Sequence, residues 1–244
     1  ACGAMGGRKP YLSVGFSSRP ATSHEPRVAA FFDMDKTIIA ENSGSVYMKR
    51  RFERGEIGPE VLLAGLASYF QYKLGVLDIE AFTKSMWVEF KDRREAELFA
   101  EGRELFEERL RPLIYPRAAA QIREHRLRGH VVCIVSGATP YVIEPLVRHL
   151  GIRHYLCTQL EEAGGRLTGR VVEPICFEEG KVHWVRQWID EIRVDMARSY
   201  FYTDSITDRA LLEGVGHPVA VNPDPRLYRL ARHRRWPIRL YDLD

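Results

Sequence analysis

The sequence predicts an α/β fold: a Rossmann-like parallel sheet core with a helical cap domain inserted after the first strand. Two observations predict it. Short apolar runs alternate with helical segments along most of the 244 residues, as is typical of parallel sheets covered by helices on both faces. A long stretch after the first apolar run interrupts this alternation and has no strand-like pattern.

Three regions follow from this pattern. Residues 1–26 are rich in Gly, Ser, Pro and Arg without an apolar period, so we expect a disordered N-terminal arm and no signal peptide. Residues 27–40 and 113–244 should form the Rossmann-like catalytic core. Residues 41–112 should form the helical insert, which we call the cap.

The first strand is predicted at 28–32, where Val-Ala-Ala-Phe-Phe leads into Asp33. In the cap, residues 89–110 carry apolar side chains near helical spacing. Pro112 ends the cap, and Pro116 opens a helix over 117–127, since proline suits the first helical position.

Strands and helices then alternate to the C-terminus. Gly151 should stop one helix, and Gly164-Gly165 favours a hairpin turn. The predicted strands are 131–135, 155–160, 166–172, 200–202, 218–221 and 238–241, and the predicted helices are 139–150, 180–192, 206–213 and 226–232.

Composition excludes several classes of protein. The net charge of +3, from 36 basic and 33 acidic residues, is too small to indicate a nucleic-acid partner. The basic run at 229–235 is interpreted as a solvated helix face, with a polyanion site as the alternative. No run approaches the roughly 20 apolar residues that span a bilayer, so we expect no membrane partner. The oligomeric state stays open.

The four cysteines, Cys2, Cys133, Cys157 and Cys176, form no CxxC pair, so a zinc site is not expected. Cys133 and Cys157 lie in apolar runs, so we interpret them as buried, reduced thiols. This pattern fits a cytoplasmic protein.

Polar residues follow the predicted strands at the positions where parallel sheets bind ligands. Each signal alone is weak, because aspartates often cap helices and Ser-Gly is an ordinary turn. Their order along the chain predicts one site, provided that the strands at 28–32 and 200–202 are neighbours. The candidates are Asp33, Asp35, Thr37, Ser136, Gly137, Lys181, Asp204 and Asp208.

Carboxylates gathered at one point need a cation. At an effective dielectric of about 20, two like charges about 4 Å apart repel by roughly 4 kcal/mol. A set of oxygen ligands without His or Cys selects Mg²⁺, which also offers open positions to a phosphate oxygen. We therefore predict Mg²⁺ as the cofactor, with metal residues Asp33, Asp35, Asp204 and Asp208 and phosphate-binding residues Thr37, Ser136, Gly137 and Lys181.

This site suits phosphoryl transfer through a carboxylate. Asp33 would attack phosphorus to give an aspartyl-phosphate, and Asp35 would protonate the leaving oxygen and then activate water. The predicted function is Mg²⁺-dependent hydrolysis of a phosphomonoester of a small metabolite.

Four motifs resemble those of the haloacid dehalogenase superfamily: 32–37 (FDMDKT), 135–137 (VSG), Lys181 and 202–208 (YTDSITD). The cap and the segment 216–227 are similar to those of its phosphoserine phosphatase-like branch (subfamily IB). The resemblance covers about 28–243. It implies Asp33 as nucleophile, Asp35 as acid/base, and Mg²⁺ bound by Asp33, Asp204 and the Asp35 carbonyl, with Asp208 supporting the site.

The sequence departs from this branch at two places. The fourth motif is usually GDGxND, and here Thr203, Ser205 and Thr207 replace the two glycines and the asparagine. Phosphoserine phosphatases also carry a Glu nine residues after the nucleophile that binds the substrate ammonium, a position held here by Asn42, with Glu41 just before it.

The substrate prediction therefore has alternatives. A phosphoserine-like metabolite is the best guess, with histidinol phosphate or another alcohol phosphate as alternatives. Most aromatic residues of the cap are interpreted as its core, and a few as pocket lining: Tyr69, Phe70, Tyr72, Phe82, Trp87 and Phe90.

Two functions of another class share these residues. A phospho-acceptor switch also uses an acidic cluster with a Ser or Thr and a Lys, but the acid/base Asp35 favours turnover. A phosphotransferase would pass the phosphoryl group to an alcohol, and the sequence does not distinguish it from a hydrolase.

Overall fold

The computed structural model describes residues 11–13, 25–61, 63–64, 67 and 87–244. Nine strands are named in it: β1 (Tyr11–Ser13), β2 (Ala29–Phe32), β3 (Val131–Ser136), β4 (His154–Cys157), β5 (Leu160–Ala163), β6 (Arg166–Val171), β7 (Tyr200–Thr203), β8 (His217–Val221) and β9 (Ile238–Arg239). Seven of them form one sheet in the order β1-β4-β3-β2-β7-β8-β9, and β5 and β6 form a separate hairpin.

Seven α-helices are defined among the described residues and pack with these strands: α1 (Ser43–Glu53), α2 (Glu95–Leu105), α3 (Pro116–Leu127), α4 (Pro140–Leu150), α5 (Glu179–Ile192), α6 (Arg209–Gly214) and α7 (Pro225–Arg234). A π-helical turn, Phe106–Leu110, continues α2, and short 3-10 turns span Val88–Phe90, Arg111–Leu113, Met196–Arg198 and Ile206–Asp208. None of the helices in the described part of the chain is long and apolar enough to cross a membrane.

The central strand β2 pairs in parallel with β3 on one side and β7 on the other. Phe32 lies opposite Ile134 and Tyr202 in these two pairings, and the backbone N–H of Asp33 donates to the Tyr202 carbonyl at 2.9 Å. All pairings in this sheet are parallel except that of β1 with β4. The predicted α/β fold is confirmed, and the predicted strands at 28–32 and 200–202 are neighbours.

The sheet is covered on both faces because successive side chains of a strand point to opposite sides. Phe32 and Tyr202 belong to one buried apolar cluster, whereas Phe31 and Phe201 belong to the other, with Trp188 of α5. These two cores hold the central strands rigidly, so their carboxyl ends form a fixed edge.

The predicted helix over 89–110 is interrupted in the structure. The Asp92 N–H donates to the Leu167 carbonyl at 2.9 Å, the Leu167 N–H to the Arg93 carbonyl at 3.0 Å, and the Glu95 N–H to the Gly165 carbonyl at 3.1 Å. This stretch therefore lies along the β5–β6 hairpin, and α2 begins only at Glu95. Local spacing cannot reveal a partner seventy residues away.

The C-terminal part of the cap packs on the core. A Cβ atom placed on Gly102 of α2 would overlap the Tyr141 carbonyl oxygen of α4, so the two helices touch through their backbones. Leu105, Phe106 and Leu110 are buried in the same cluster as Phe32. The boundaries 27–40, 41–112 and 113–244 stay a prediction.

Three expectations require correction. Residues 11–13 form the edge strand β1, so the predicted disordered arm does not hold for them. The strand expected at 155–160 ends at Cys157, and Leu160 begins the hairpin. The closing strand covers 238–239, since the Tyr241 N–H donates instead to the Asn222 side chain at 2.8 Å.

The aromatic residues of the cap are described only in part. Phe90 is buried, and Trp87 packs against it with ring centroids 5.5 Å apart. The other four, Tyr69, Phe70, Tyr72 and Phe82, lie outside the described residues.

Candidate active site

A buried lysine and three aspartates meet at the carboxyl edge of β2 and β7. Asp33 follows β2, Asp204 follows β7, and Asp208 ends the turn Ile206–Asp208. Lys181 Nζ, from α5, donates to Asp33 Oδ1 at 2.6 Å and to Asp208 Oδ2 at 2.9 Å. The Lys181, Asp33 and Asp208 side chains are at most 10% exposed.

Close backbone packing brings Lys181 to this point. A Cβ atom on Gly180 would overlap the Ile175 carbonyl oxygen, so the start of α5 can approach the preceding loop only with glycine there.

The loop after β7 is held by side chains. Thr203 Oγ1 donates to Asp208 Oδ2 at 2.6 Å and accepts from the Ser205 N–H at 3.2 Å. Asp224 accepts from the Ile206 N–H at 2.9 Å, and its own N–H donates to the Asp204 carbonyl at 2.8 Å. These contacts fix Asp204 and Asp208 against the sheet.

Electrostatics in the cluster favour an additional cation. Burial raises the pKa of Asp33 well above its ordinary value; Lys181 lowers it, but the Asp208 and Asp204 carboxylates raise it further. Burial opposes the charge on Lys181, but Asp208 and Asp33 outweigh that effect and raise its pKa. Three carboxylates facing one ammonium leave an excess of negative charge, which a divalent ion would neutralise.

Asp35 is held apart from the ion pairs by the start of α1. Its Oδ1 accepts from the Ser43 N–H at 3.0 Å, and its Oδ2 accepts from Asn42 Nδ2 at 2.9 Å and Ser43 Oγ at 3.2 Å. Burial raises the pKa of Asp35 to about 6, although the bonds from Ser43 lower it. Such a carboxyl group can both donate and accept a proton near neutral pH.

The predicted phosphate-binding residues lie at the same edge. Thr37 is fully buried, and its Oγ1 has no hydrogen-bond partner among the described residues. Ser136 ends β3, next to β2, and its Oγ accepts from the Ala138 N–H at 3.2 Å, so the hydroxyl hydrogen stays available. Gly137 follows it just before α4 begins at Pro140.

The oxygen atoms at this edge suit a hard divalent cation, but only some of them are placed to hold it. No three His, Cys, Asp or Glu side chains of the described residues are grouped so as to hold a metal by themselves. The side chain of Asp35 is engaged by α1, and Asp208 contacts Lys181 and Thr203. Asp33 and Asp204, which follow the neighbouring strands β2 and β7, are the carboxylates that could hold such an ion. Asp208 Oδ1, buried and without a hydrogen-bond partner in the part of the chain that the structure describes, adds an acceptor at this edge.

Sequence reasoning missed the supporting roles of four residues. Ser43 and Asn42 bond to Asp35, whereas Thr203 and Asp224 fix the loop after β7. Asn42 directly precedes a helical run, which is a typical N-cap signal and could have indicated a helix start close to Asp35. Contacts of Thr203 and Asp224 depend on tertiary structure.

The fold and this edge define an α/β enzyme with its polar site at the carboxyl ends of parallel strands. Residues 30–213 match the family model of the haloacid dehalogenase-like hydrolases. The chain belongs to that family.

Curated relatives support this assignment. A histidinol-phosphatase of Neisseria meningitidis serogroup C is 31% identical over 214 residues, covering 86% of this chain and 96% of the relative. A phosphoserine phosphatase of Mycobacterium tuberculosis is 33% identical over 237 residues, covering 94% and 75%. The predicted enzyme class, a phosphoric monoester hydrolase, is confirmed.

Solved structures show the same fold. A protein of unknown function from Bordetella pertussis Tohama I superposes with a TM-score of 0.81 at 30% identity, covering 90% of this chain and 100% of that one. A phosphoserine phosphatase solved as a phospho-aspartyl intermediate analogue gives a TM-score of 0.65 at 18% identity, covering 88% and 94%.

Proposed function

We propose that this chain is a Mg²⁺-dependent phosphomonoesterase that transfers the phosphoryl group of a small phosphorylated metabolite to Asp33 and then to water. The observation that carries the proposal is the contact of Lys181 with both Asp33 and Asp208 inside a buried carboxylate cluster. A buried carboxylate held by one ammonium at a sheet edge is suited to receive an electrophilic phosphorus atom.

Asp33 and Asp204, with the Asp35 carbonyl, would hold the metal, and Asp208 would support them. When bound, Mg²⁺ supplies positive charge for the phosphoryl oxygens. Thr37, Ser136, the backbone around Gly137 and Lys181 would bind the remaining phosphate oxygens, which accounts for the unsatisfied, buried Thr37 hydroxyl.

In the first half-reaction, an Asp33 oxygen forms a bond to phosphorus while the ester P–O bond breaks. The electron pair of that bond passes to the ester oxygen, which takes the proton of Asp35 and leaves as the alcohol. Lys181 keeps Asp33 oriented and offsets the charge that accumulates on the phosphoryl group.

In the second half-reaction, the Asp35 carboxylate takes a proton from water. The water oxygen attacks phosphorus, the Asp33–phosphorus bond breaks, and inorganic phosphate leaves. This step returns Asp33 to a carboxylate and Asp35 to its protonated form, so the cycle is complete. Part of the cap would close over the site and exclude bulk water.

The substrate is proposed as the phosphate ester of a small amino alcohol. Phosphoserine stays the first candidate, since one relative carries the name phosphoserine phosphatase. Histidinol phosphate is the second, because Asn42 is uncharged and bonded to Asp35, Glu41 is exposed, and another relative is named histidinol-phosphatase. The buried thiols Cys133, Cys157 and Cys176 support a cytoplasmic location.

Replacing the nucleophile tests the proposal. We expect Asp33→Asn to lower phosphate release from p-nitrophenyl phosphate on the order of 10⁴-fold or more. Far-UV circular dichroism should stay unchanged, and Asp190→Asn, an exposed aspartate of α5, is the matched control. Appreciable turnover by Asp33→Asn would refute the assignment.

The same assay separates the rival functions. Lasting phosphorylation of wild-type protein without phosphate release would indicate a phospho-acceptor switch. Faster loss of p-nitrophenyl phosphate than release of phosphate, in the presence of an added alcohol, would indicate a phosphotransferase.

Chelation by EDTA should abolish phosphate release, and added Mg²⁺ should restore it. Activity that does not respond to EDTA would remove the metal from the mechanism.

A further inference from the structure

Within the described residues, the hydrogen bonds to the side chain of the acid/base Asp35 all come from the start of α1, namely from its N-cap Asn42 and its first residue Ser43. Asn42 and Ser43 provide three donors, which fill two acceptor positions on Oδ2 and one on Oδ1. A carboxylate has about four such positions. The remaining position lies on Oδ1.

The orientation of the Asn42 amide is fixed by its second role. Its Oδ1 accepts from the Ser45 N–H at 2.9 Å and from Ser45 Oγ at 3.2 Å, so Asn42 is the N-cap of α1. An amide whose oxygen is committed to the helix must turn its NH₂ group to the other side. That side faces Asp35 Oδ2, which therefore always meets a donor.

Helix α1 is itself anchored. Arg50 is 4% exposed and donates to Glu108 Oε2 and Glu104 Oε2, each at 2.8 Å. Val46 is buried in the same apolar cluster as Phe106. Because α1 is tied to α2 and the π-turn, its N-terminus offers a fixed platform for Asp35.

We propose that Asn42 and Ser43 are positioning residues for proton transfer: they fill Asp35 Oδ2 and leave Oδ1 to present the proton to the departing ester oxygen. This inference rests on the proposed function. The step is the transfer of one proton from Asp35 to the alcohol oxygen as the ester P–O bond breaks, so poor leaving groups depend on it and good ones hardly do.

The test compares two aryl phosphates that differ mainly in leaving group, p-nitrophenyl phosphate and phenyl phosphate. The quantity measured is kcat/KM, which covers the steps up to departure of the alcohol and excludes later hydrolysis of the phospho-enzyme. The ratio of kcat/KM between the two substrates reports on proton donation independently of the physiological substrate.

Asn42→Asp is the sharpest variant. Aspartate is as good an N-cap as asparagine, so α1 should remain, but an oxygen replaces the donor that faces Asp35 Oδ2. We expect the p-nitrophenyl-to-phenyl ratio to rise about 10-fold, within the 10²- to 10⁴-fold that acid catalysis supplies. Asn42→Ser, which keeps a capping oxygen but lacks the amide donor, should raise the ratio in the same direction. Asn42→Ser replaces Asn42→Asp as the test if the latter variant does not fold.

Two further variants make the outcomes distinct. Asp35→Asn should raise the ratio more than Asn42→Asp does, and Asp195→Asn, the same kind of swap at the cap of Met196–Arg198, should leave it unchanged. If Asp35→Asn leaves the ratio unchanged, the acid role of Asp35 in the proposed function fails and the inference with it, whereas the phosphatase activity itself is tested by Asp33→Asn. If only the Asn42 variants leave it unchanged, or lower both substrates equally, the inference alone is overturned.

Discussion

At the scale of single residues, the contact between Lys181 and its two carboxylates determines both stability and chemistry. An ammonium at 4% exposure is costly to bury, and here Asp33 and Asp208 compensate it at 2.6 and 2.9 Å. Removing one member of such a group leaves the other charges buried without a partner. The resulting loss of stability is larger than the net stability that the complete group contributes.

Lys181→Met should therefore lower both activity and stability. Three carboxylates would then share the edge with no cation, so the free energy of unfolding should fall by about 3–5 kcal/mol. Urea denaturation followed by circular dichroism measures this change. Added Mg²⁺ should recover part of the lost stability, because it supplies the missing positive charge.

The control for this variant is Lys49→Met, which removes an exposed lysine on α1. Its stability should change by no more than about 0.5 kcal/mol. Equal losses in the two variants would show that the buried contacts of Lys181 do not contribute.

At the scale of elements, the crossing of α2 and α4 joins the cap to the core. Gly102 allows the two backbones to touch. Helix α4 begins four residues after Ser136, so a shift of this helix moves the loop that we propose for phosphate binding.

Gly102→Ala should separate the two helices. The added methyl group meets backbone and not a flexible side chain, so we expect a loss of about 1–3 kcal/mol in stability and a higher KM for p-nitrophenyl phosphate. Gly214→Ala, at a helical glycine with open space around it, is the matched control and should keep both quantities near wild type. An unchanged KM in Gly102→Ala would separate the helix crossing from phosphate binding.

At the scale of the whole molecule, both faces of the sheet carry a histidine that folding keeps neutral. Burial lowers the pKa of His125 to about 4, helped by His130, Arg128 and Arg239. Burial likewise lowers the pKa of His154 to about 4, helped by Arg27 and Arg153. His125 packs against Phe32 on one face, and His154 against Trp188 on the other.

The contribution of these two histidines to stability should consequently fall on acidification. Between pH 6.5 and about 4 the unfolded chain binds protons at these histidines and the folded chain does not, so the contribution is full above 6.5 and decreases as the pH drops. His125→Gln should flatten the pH dependence of the free energy of unfolding in this interval. The exposed His233→Gln is the control, and parallel curves for wild type and His125→Gln would contradict the prediction.

The sequence was sufficient for those features that local pattern determines. The apolar runs of β2, β3 and β7 and the stop at Gly151, with its φ of 64°, follow from residue type alone. The order of polar residues after the strands and on the helix at 180–192 predicted Asp33, Lys181 and Asp208, and in the structure Lys181 contacts both aspartates. The break at 91–94 and the pairing of β1 with β4 could not be predicted, because each depends on a partner distant in sequence.

The bonds between residues 92–95 and the β5–β6 hairpin also bear on how this architecture can be recombined. A graft of residues 41–112 onto a related scaffold would leave the N–H groups of Asp92 and Glu95 without their acceptors. The portable unit is therefore discontinuous in sequence and includes residues 160–171, so insertion variants that exchange one segment without the other should be poorly tolerated.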